Sequence, residues 1–289
     1  MDLTIINRSR LFMGSCFALI TTAFSFSIRA GILPQLGKEF GLTAEQLGFI
    51  NSMFFFGFPL SMIIGGLVYH TVGPKRIMQF AFVAHTVGIL LTIYAGGYTG
   101  LLVSTFFIGF GNGCTEAACN PMIADMYSGT LMNKMLNRFH MWFPGGIVMG
   151  SLISKFMTDA GLSWQAQIWV IMIPTIVYVI LFIGQAFPQP KIEGATSLAQ
   201  NAKALISPLY LFIFCCMALT AITEFGPQQW AIARRDHYLS QTKRPVPIRS
   251  CTGELLTPII ENESRGEIEI FRAEEAAKKQ SGDIDLRHV

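Results

Sequence analysis

The clearest charged side chains inside long apolar runs are Glu116 and Glu224, with Arg29 third. A charge near the centre of a bilayer costs at least about 2.5–3.5 kcal/mol on insertion scales, so such a group faces a cavity or a partner. A carboxylate held in a dry cavity takes up and releases a proton closer to neutral pH, which is the chemistry a proton-coupled carrier needs. The plainer reading of each Glu is a nearby cation or access to water. Arg29 has three readings: snorkelling to the outer interface, binding an anionic substrate, or pairing with an acid. Its place in the first apolar run lies toward the outside and that of Glu116 toward the inside. At 1.5 Å per residue their depths differ by roughly 10–17 Å, which argues against a direct ion pair.

Amides and rings surround these charges in the sequence. Asn112 and Asn120 flank Glu116, and Gln228 and Gln229 follow Glu224. Each amide both donates and accepts, which suits sugar hydroxyls, although each could equally join helices. His140 and His85 are candidate titrating groups, His85 more naturally as a packing contact. Trp142 and Trp230 offer flat faces on which a sugar can stack, or anchors at the membrane boundary. No nucleophile–base pair and no metal-ligand spacing appears. The reading is therefore not an enzyme, with no metal and no cofactor.

The elements that must hold these residues are membrane helices. The 289-residue chain is 52% hydrophobic and only 13% charged, against about 25% charged in soluble domains. A bilayer core of about 30 Å needs roughly 20 apolar residues in a helix. Seven stretches qualify: Leu11–Leu33, Leu47–Tyr69, Ile77–Ala95, Leu101–Ile123, Met141–Met157, Ile168–Phe187 and Leu209–Trp230. The fifth is short and is expected to begin near Leu136. The first is too long for a signal peptide and carries Arg29. Five of the six cysteines lie inside apolar runs and none forms a C-x-x-C pair, so neither a disulfide framework nor a zinc site is expected.

Basic residues in short loops set orientation. With the amino terminus inside, cytoplasmic segments hold Arg8, Arg10, Lys75, Arg76, Lys134, Arg138, Lys191 and Lys203, and external loops hold Lys38 and Lys155. The amino terminus is accordingly expected in the cytoplasm of a cell (inner) membrane protein, with the lipid bilayer as partner and no role for nucleic acid. Residues 231–289 contain no span and carry ten of the 21 Lys and Arg, with one weakly helical stretch near Glu267–Gln280. They read as a natural tail or as non-native sequence, the second being favoured.

A repeat runs through the apolar part. Phe58-Pro59 through Gly65-Gly66 recurs as Phe143-Pro144 through Gly150-Ser151, and Arg29 precedes Pro34 as Glu116 precedes Pro121. The first span thus matches the fourth and the second the fifth, the pattern of inverted three-helix units. The run Gly109, Gly111, Gly113, Ala117, Ala118 lets a neighbour approach closely, as do Gly65 and Gly66. The short G-x-G strings are not nucleotide loops, because such a loop follows a strand and no strand pattern is apparent.

Two motifs carry a family resemblance. Gly66-Leu67-Val68-Tyr69-His70-Thr71-Val72-Gly73-Pro74-Lys75-Arg76 resembles the loop signature of the major facilitators, with His70 at the usual Asp and Pro74 at the usual Arg. Gly66, Gly73, Lys75 and Arg76 would then form a cytoplasmic gating loop. Cys114-Thr115-Glu116-Ala117-Ala118-Cys119-Asn120-Pro121 resembles the E-T-A-A-N-P motif of the fucose–proton symporter family, and Leu33-Pro34-Gln35 resembles the end of that family's first helix. The resemblance, from about residue 10 to 230, implies a proton-coupling and substrate role for Glu116. The family's acid in the first helix falls at Ala30 and is absent. Arg29 stands beside it, which makes an acidic sugar or another anion an alternative substrate. Glu224 to Trp230 resembles the substrate-facing seventh helix of sugar facilitators.

The resulting expectation is an all-α membrane protein: a six-helix transporter half at 1–187, a cytoplasmic linker at 188–208, a seventh helix at 209–230 and a polar tail at 231–289. Its function would be carriage of a sugar or related solute, coupled to protons, by alternating access. The site would comprise Glu116, Asn120, Arg29, Asn112, His140, Glu224, Gln228 and Trp230. A chain with one helix of a second half is expected to be inactive alone. A seven-helix receptor or scaffold is the rival from another class, and it leaves the repeat unexplained.

Overall fold

The computed structural model describes residues 6–191, 206–216, 219–220 and 223, and the backbone of four short strands between 248 and 270. Seven helices form the body: α1 (Arg8–Phe40), α2 (Ala44–Val72), α3 (Pro74–Ile93), α4 (Tyr98–Met126), α5 (Gly129–His140), α6 (Trp142–Asp159) and α7 (Trp164–Phe182). The first four expected spans are α1 to α4. The fifth is α5 and α6 together, joined through Met141, which keeps right-handed helical angles (φ −62°, ψ −23°). The sixth is α7, and residues 208–216 begin the seventh.

Local chemistry sets the helix ends. The Asn7 side chain accepts from the Arg10 backbone N–H at the start of α1. Thr43 and Gln46 close a reciprocal capping box at the start of α2. Gly73, at φ 79°, ends α2, and Pro74 opens α3 where its missing N–H costs nothing. The sixth span stops earlier than its apolar run: α7 ends at Phe182, and Gly184 turns at φ 72°, so the expected end at Phe187 is corrected.

By length and composition, α1, α2, α3 and α7 can each cross a membrane. The remaining two spans fall short of that composition. In α4, glycines, Asn112, Glu116 and Asn120 dilute an apolar run that is shielded by its neighbours. Helix α6 carries Lys155 and Asp159 at its end, bonded to each other at 2.8 Å. The apolar window of α1 is 89% buried and that of α2 only 22%. Helix α1 is therefore a central strut, while α2 turns Phe49, Phe56, Ile63 and Ile64 outward, as a lipid-facing helix must.

The packing exchanges partners between the two three-helix units. Helix α4 packs chiefly against α2 and α3, and α1 chiefly against α6 and α7. The first helix of each unit thus lies within the other unit. Glycines permit the approach. A Cβ on Gly65 of α2 would meet Ala117 of α4; one on Gly150 of α6, its counterpart in the repeat, would meet Ser27 and Phe24 of α1. Gly109 and Gly113 lie against the Phe54 and Phe58 carbonyls of α2. Gly66 does not share this role, because nothing stands within 4 Å of its Cβ position. One apolar cluster, with Leu11, Met122, Phe139 and Phe182, fills the end of the bundle at the amino terminus. A second, with Ile32, Ile50, Leu101, Trp164 and Ile168, fills the other end.

Two compact units are distinguished, Met1–Cys216 and Met217–Val289. In the second, Ile248–Arg249 pairs antiparallel with Leu255–Leu256, and Ile259–Asn262 with Glu267–Ile270. The weakly helical stretch expected from Glu267 is therefore a strand over its first four residues. Glu267-Ile268-Glu269-Ile270 alternates with period 2 and is rich in β-branched residues, which favours a strand. The glycine strings of α4 are helical.

Candidate functional site

Helix α4 carries the polar stripe. Asn112, Glu116 and Asn120 are spaced four apart and share one helix face. Pro121 follows at once, and without an N–H it releases the carbonyl of Ala117 from the helix ladder. Glu116 and Asn120 are half-buried. The Asn120 Nδ2 donates to Glu116 Oε2 at 2.6 Å. The Asn120 Oδ1 is buried without a hydrogen-bond partner. Among the described residues no cation pairs with Glu116; the ion pair found is Lys155–Asp159.

Asn112 is used differently. It is fully buried, and its amide links four helices. Asn112 Nδ2 donates to Ser25 Oγ of α1 at 2.9 Å, and Ser25 donates to the Thr22 carbonyl at 2.8 Å. With the Ser25 proton committed, Asn112 Oδ1 must accept, so His85 Nε2–H of α3 donates to it at 2.8 Å. The Tyr178 hydroxyl of α7 lies 3.2 Å from His85 Nδ1. This chain sets the rotation of α4 and with it the face that presents Glu116.

Arg29 is buried between α1, α2 and α4. Its Nη2 donates to Thr105 Oγ1 at 2.7 Å, and the guanidinium lies 5.6 Å from the centre of the Phe54 ring. Its Nη1 is buried and has no partner. Thr105 precedes Glu116 by eleven residues on α4, about 16 Å along the axis. Arg29 and Glu116 are therefore separate sites, as their expected depths required.

The expected gating residues lie at the end shared by the start of α1 and the close of α2. Gly66 stands inside α2, Gly73 caps it, and Lys75 and Arg76 are exposed at the start of α3. Sequence reasoning missed the contacts that hold this end together. The Tyr69 hydroxyl donates to Asp125 Oδ2 at 2.8 Å, tying α2 to α4. The Lys191 ammonium donates to the carbonyls of Ala124 (2.8 Å) and Tyr127 (2.6 Å), and its backbone N–H to Asp125 Oδ1. A cation on the last carbonyls of α4 also meets the negative end of its dipole. Arg10 does the same for α7, donating to the carbonyls of Ile180 and Leu181. An acid at the end of the fourth span and a lysine after the sixth were visible in the sequence, but their pairing was not.

The remaining expected residues are dispersed. His140 is exposed at the end of α5. Trp142 packs its ring 6.4 Å from that of Phe17. Glu224, Gln228, Gln229 and Trp230 lie outside the described residues.

Comparison with known proteins agrees with this architecture. Residues 15–238 match the Major Facilitator Superfamily profile. The chain is 27% identical over 194 residues to sodium-dependent phosphate transport protein 1, chloroplastic, of Arabidopsis thaliana, covering 66% of this chain and 37% of that protein. It is 31% identical over 155 residues to the L-fucose-proton symporter of Escherichia coli (strain K12), covering 53% and 35%. The crystal structure of a D-xylose-proton symporter superposes with a TM-score of 0.57 at 14% identity, covering 71% of this chain and 54% of that one. The chain thus spans little more than a third of the length of these two relatives. The profile match covers most of the chain, and the described helices form the corresponding bundle: the chain belongs to the major facilitator superfamily, a family of membrane transporters and not of enzymes.

Proposed function

We propose that the Glu116–Asn120 pair is the proton- and solute-binding centre of a secondary transporter for a small hydroxylated solute such as a sugar. The observation that carries this reading is a half-buried carboxylate with no cation paired to it among the described residues, bonded at 2.6 Å to an amide whose buried Oδ1 has no partner. A carboxylate in that setting gains from taking up a proton, and the amide gains from a ligand that satisfies it. The similarity to a fucose–proton symporter supports both roles. Alternating access would rock this half against a second one, with the seventh span and its Glu224, Gln228 and Trp230 contributing from the other side. Residues 1–187 are the first half, 188–208 the linker and 231–289 the tail. The basic end of the bundle, with Lys75, Arg76, Lys134 and Arg138, faces the cytoplasm of a cell membrane.

A second reading concerns the charge of the solute. Arg29 holds a buried Nη1 without a partner, and a planar guanidinium suits a carboxylate or phosphate. An acidic sugar or another organic anion would satisfy it. The similarity to a phosphate transport protein supports that reading.

Both are tested by measuring binding of radiolabelled L-fucose, D-glucuronate and phosphate to the chain in lipid nanodiscs, in acidic and alkaline buffer. The proposal expects saturable, pH-dependent binding of at least one, whose pH dependence vanishes in Glu116→Gln. Loss of glucuronate or phosphate binding in Arg29→Gln, with fucose binding retained, would select the anion reading. No saturable binding of any of the three would contradict both.

A further inference from the structure

We infer that Asn120 is a donor–acceptor switch thrown by the protonation of Glu116. The inference rests on the reading of Glu116 as the proton site and says what the proton does to the ligand's partner.

The geometry begins with one amide and one carboxylate a helical turn apart. Asn120 Nδ2 donates to Glu116 Oε2 at 2.6 Å, and Asn120 Oδ1 is buried with nothing to accept from. While Glu116 is ionised, the carboxylate can only accept. It therefore holds the Nδ2 end of the amide, and the opposite end presents an oxygen. A ligand group at that place must donate.

Protonation inverts the requirement. A proton on Oε2 turns that oxygen into a donor facing an N–H donor. Rotation of the Asn120 amide by half a turn restores the bond: the carboxyl O–H donates to Oδ1, and Nδ2 now occupies the place that Oδ1 held. One position has changed from acceptor to donor. One hydrogen bond is exchanged for another, and the only covalent change is the O–H bond formed as the proton arrives on Glu116.

The direction of coupling would then follow from ligand chemistry. A hydroxyl both donates and accepts, so it can remain bound through the switch. A group that only accepts, such as an ether oxygen or a carboxylate, binds the protonated form and travels with the proton. A group that only donates, such as an ammonium, binds the ionised form and exchanges against it.

Other titratable groups on the elements packed around α4 are engaged elsewhere. Arg29 of α1 holds Thr105, His85 of α3 holds Asn112 and faces Tyr178, and Tyr69 of α2 holds Asp125. Lys134, Arg138 and His140 of α5 are exposed. Cys16 of α1, His70 of α2 and Cys114 of α4 make no hydrogen bond to Glu116, and Cys119 is the titratable neighbour of Glu116 along α4.

The test uses the full 289-residue chain in lipid nanodiscs, with ¹³C in the Glu carboxyl and ¹⁵N in the Asn side chain. Solid-state NMR dipolar dephasing reports the distance from Glu116 Cδ to Asn120 Nδ2, isolated by subtracting the signal of Asn120→Ser. The expected result is strong coupling in alkaline buffer that weakens in acid, with the same midpoint as the Glu116 carboxyl shift, and no change with pH in Asn120 of Glu116→Gln. A carboxyl that titrates while the coupling stays equally strong overturns the switch and leaves the proton-site reading intact. A carboxyl that does not titrate overturns both.

Discussion

Arg29 and Glu116, two charges within the helices of this bundle, are bonded to different partners. The Arg29 guanidinium holds Thr105 and the Glu116 carboxylate holds Asn120, about 16 Å apart along α4. Nothing in the structure lets one neutralise the other. Each is left to a ligand, a proton or a further helix.

Independence has a measurable consequence. Effects of Arg29→Gln and Glu116→Gln on thermal stability in nanodiscs should add to within about 0.5 kcal/mol, as for distant sites without shared partners. A double-mutant coupling well above that would mean the two groups interact.

The polar chain from Tyr178 to Ser25 predicts a stability cost. His85→Ala strands Asn112 Oδ1 in a fully buried position. Leaving a buried acceptor unsatisfied costs about 1–3 kcal/mol, so a clear fall in unfolding temperature is expected. An unchanged temperature would show that water or another group replaces the imidazole.

Glycine contacts give a paired comparison. A methyl at Gly113 would overlap the Phe58 carbonyl and Ser61, whereas one at Gly66 meets nothing. Gly113→Ala should cost about 1–3 kcal/mol through overpacking. Gly66→Ala, inside the same α2·α4 unit, should be close to neutral. Equal effects would contradict the close approach of the two helices.

Much of this arrangement was legible in the residues, for physical reasons. Long apolar runs permit only helices in lipid, so α1 to α4 and α7 could be placed from Leu, Ile and Phe alone. The repeat of Phe-Pro and Gly-Gly/Ser marked Gly65 and Gly150, which do lie at matching helix contacts. What lay hidden depends on rotation and partner choice. Nothing in the neighbourhood of Asn112 says that it turns inward to His85 and Asn120 toward a carboxylate, since both are amides four residues from Glu116. Gly66 looked equivalent to Gly65, but it is one residue, and hence about 100° of helix, away from the α4 contact. The strand at Glu267–Ile270 was read by composition when its period of 2 was the better guide.

The lysine on the end of α4 makes a local prediction. Lys191→Ala removes the cation from the Ala124 and Tyr127 carbonyls. Hydrogen exchange should rise over residues 124–132, while exchange in the middle of α4 stays unchanged. Faster exchange throughout α4 would indicate that Lys191 supports the whole bundle.

The central claim is that Glu116 takes up a proton within the bundle, and infrared difference spectroscopy tests it most directly. The acid-minus-alkaline spectrum of the chain in nanodiscs should contain the carbonyl stretch of a protonated carboxyl that disappears in Glu116→Gln and shifts in Asn120→Ser. A spectrum in which that band is missing from the wild type, or survives Glu116→Gln unaltered, would contradict the account.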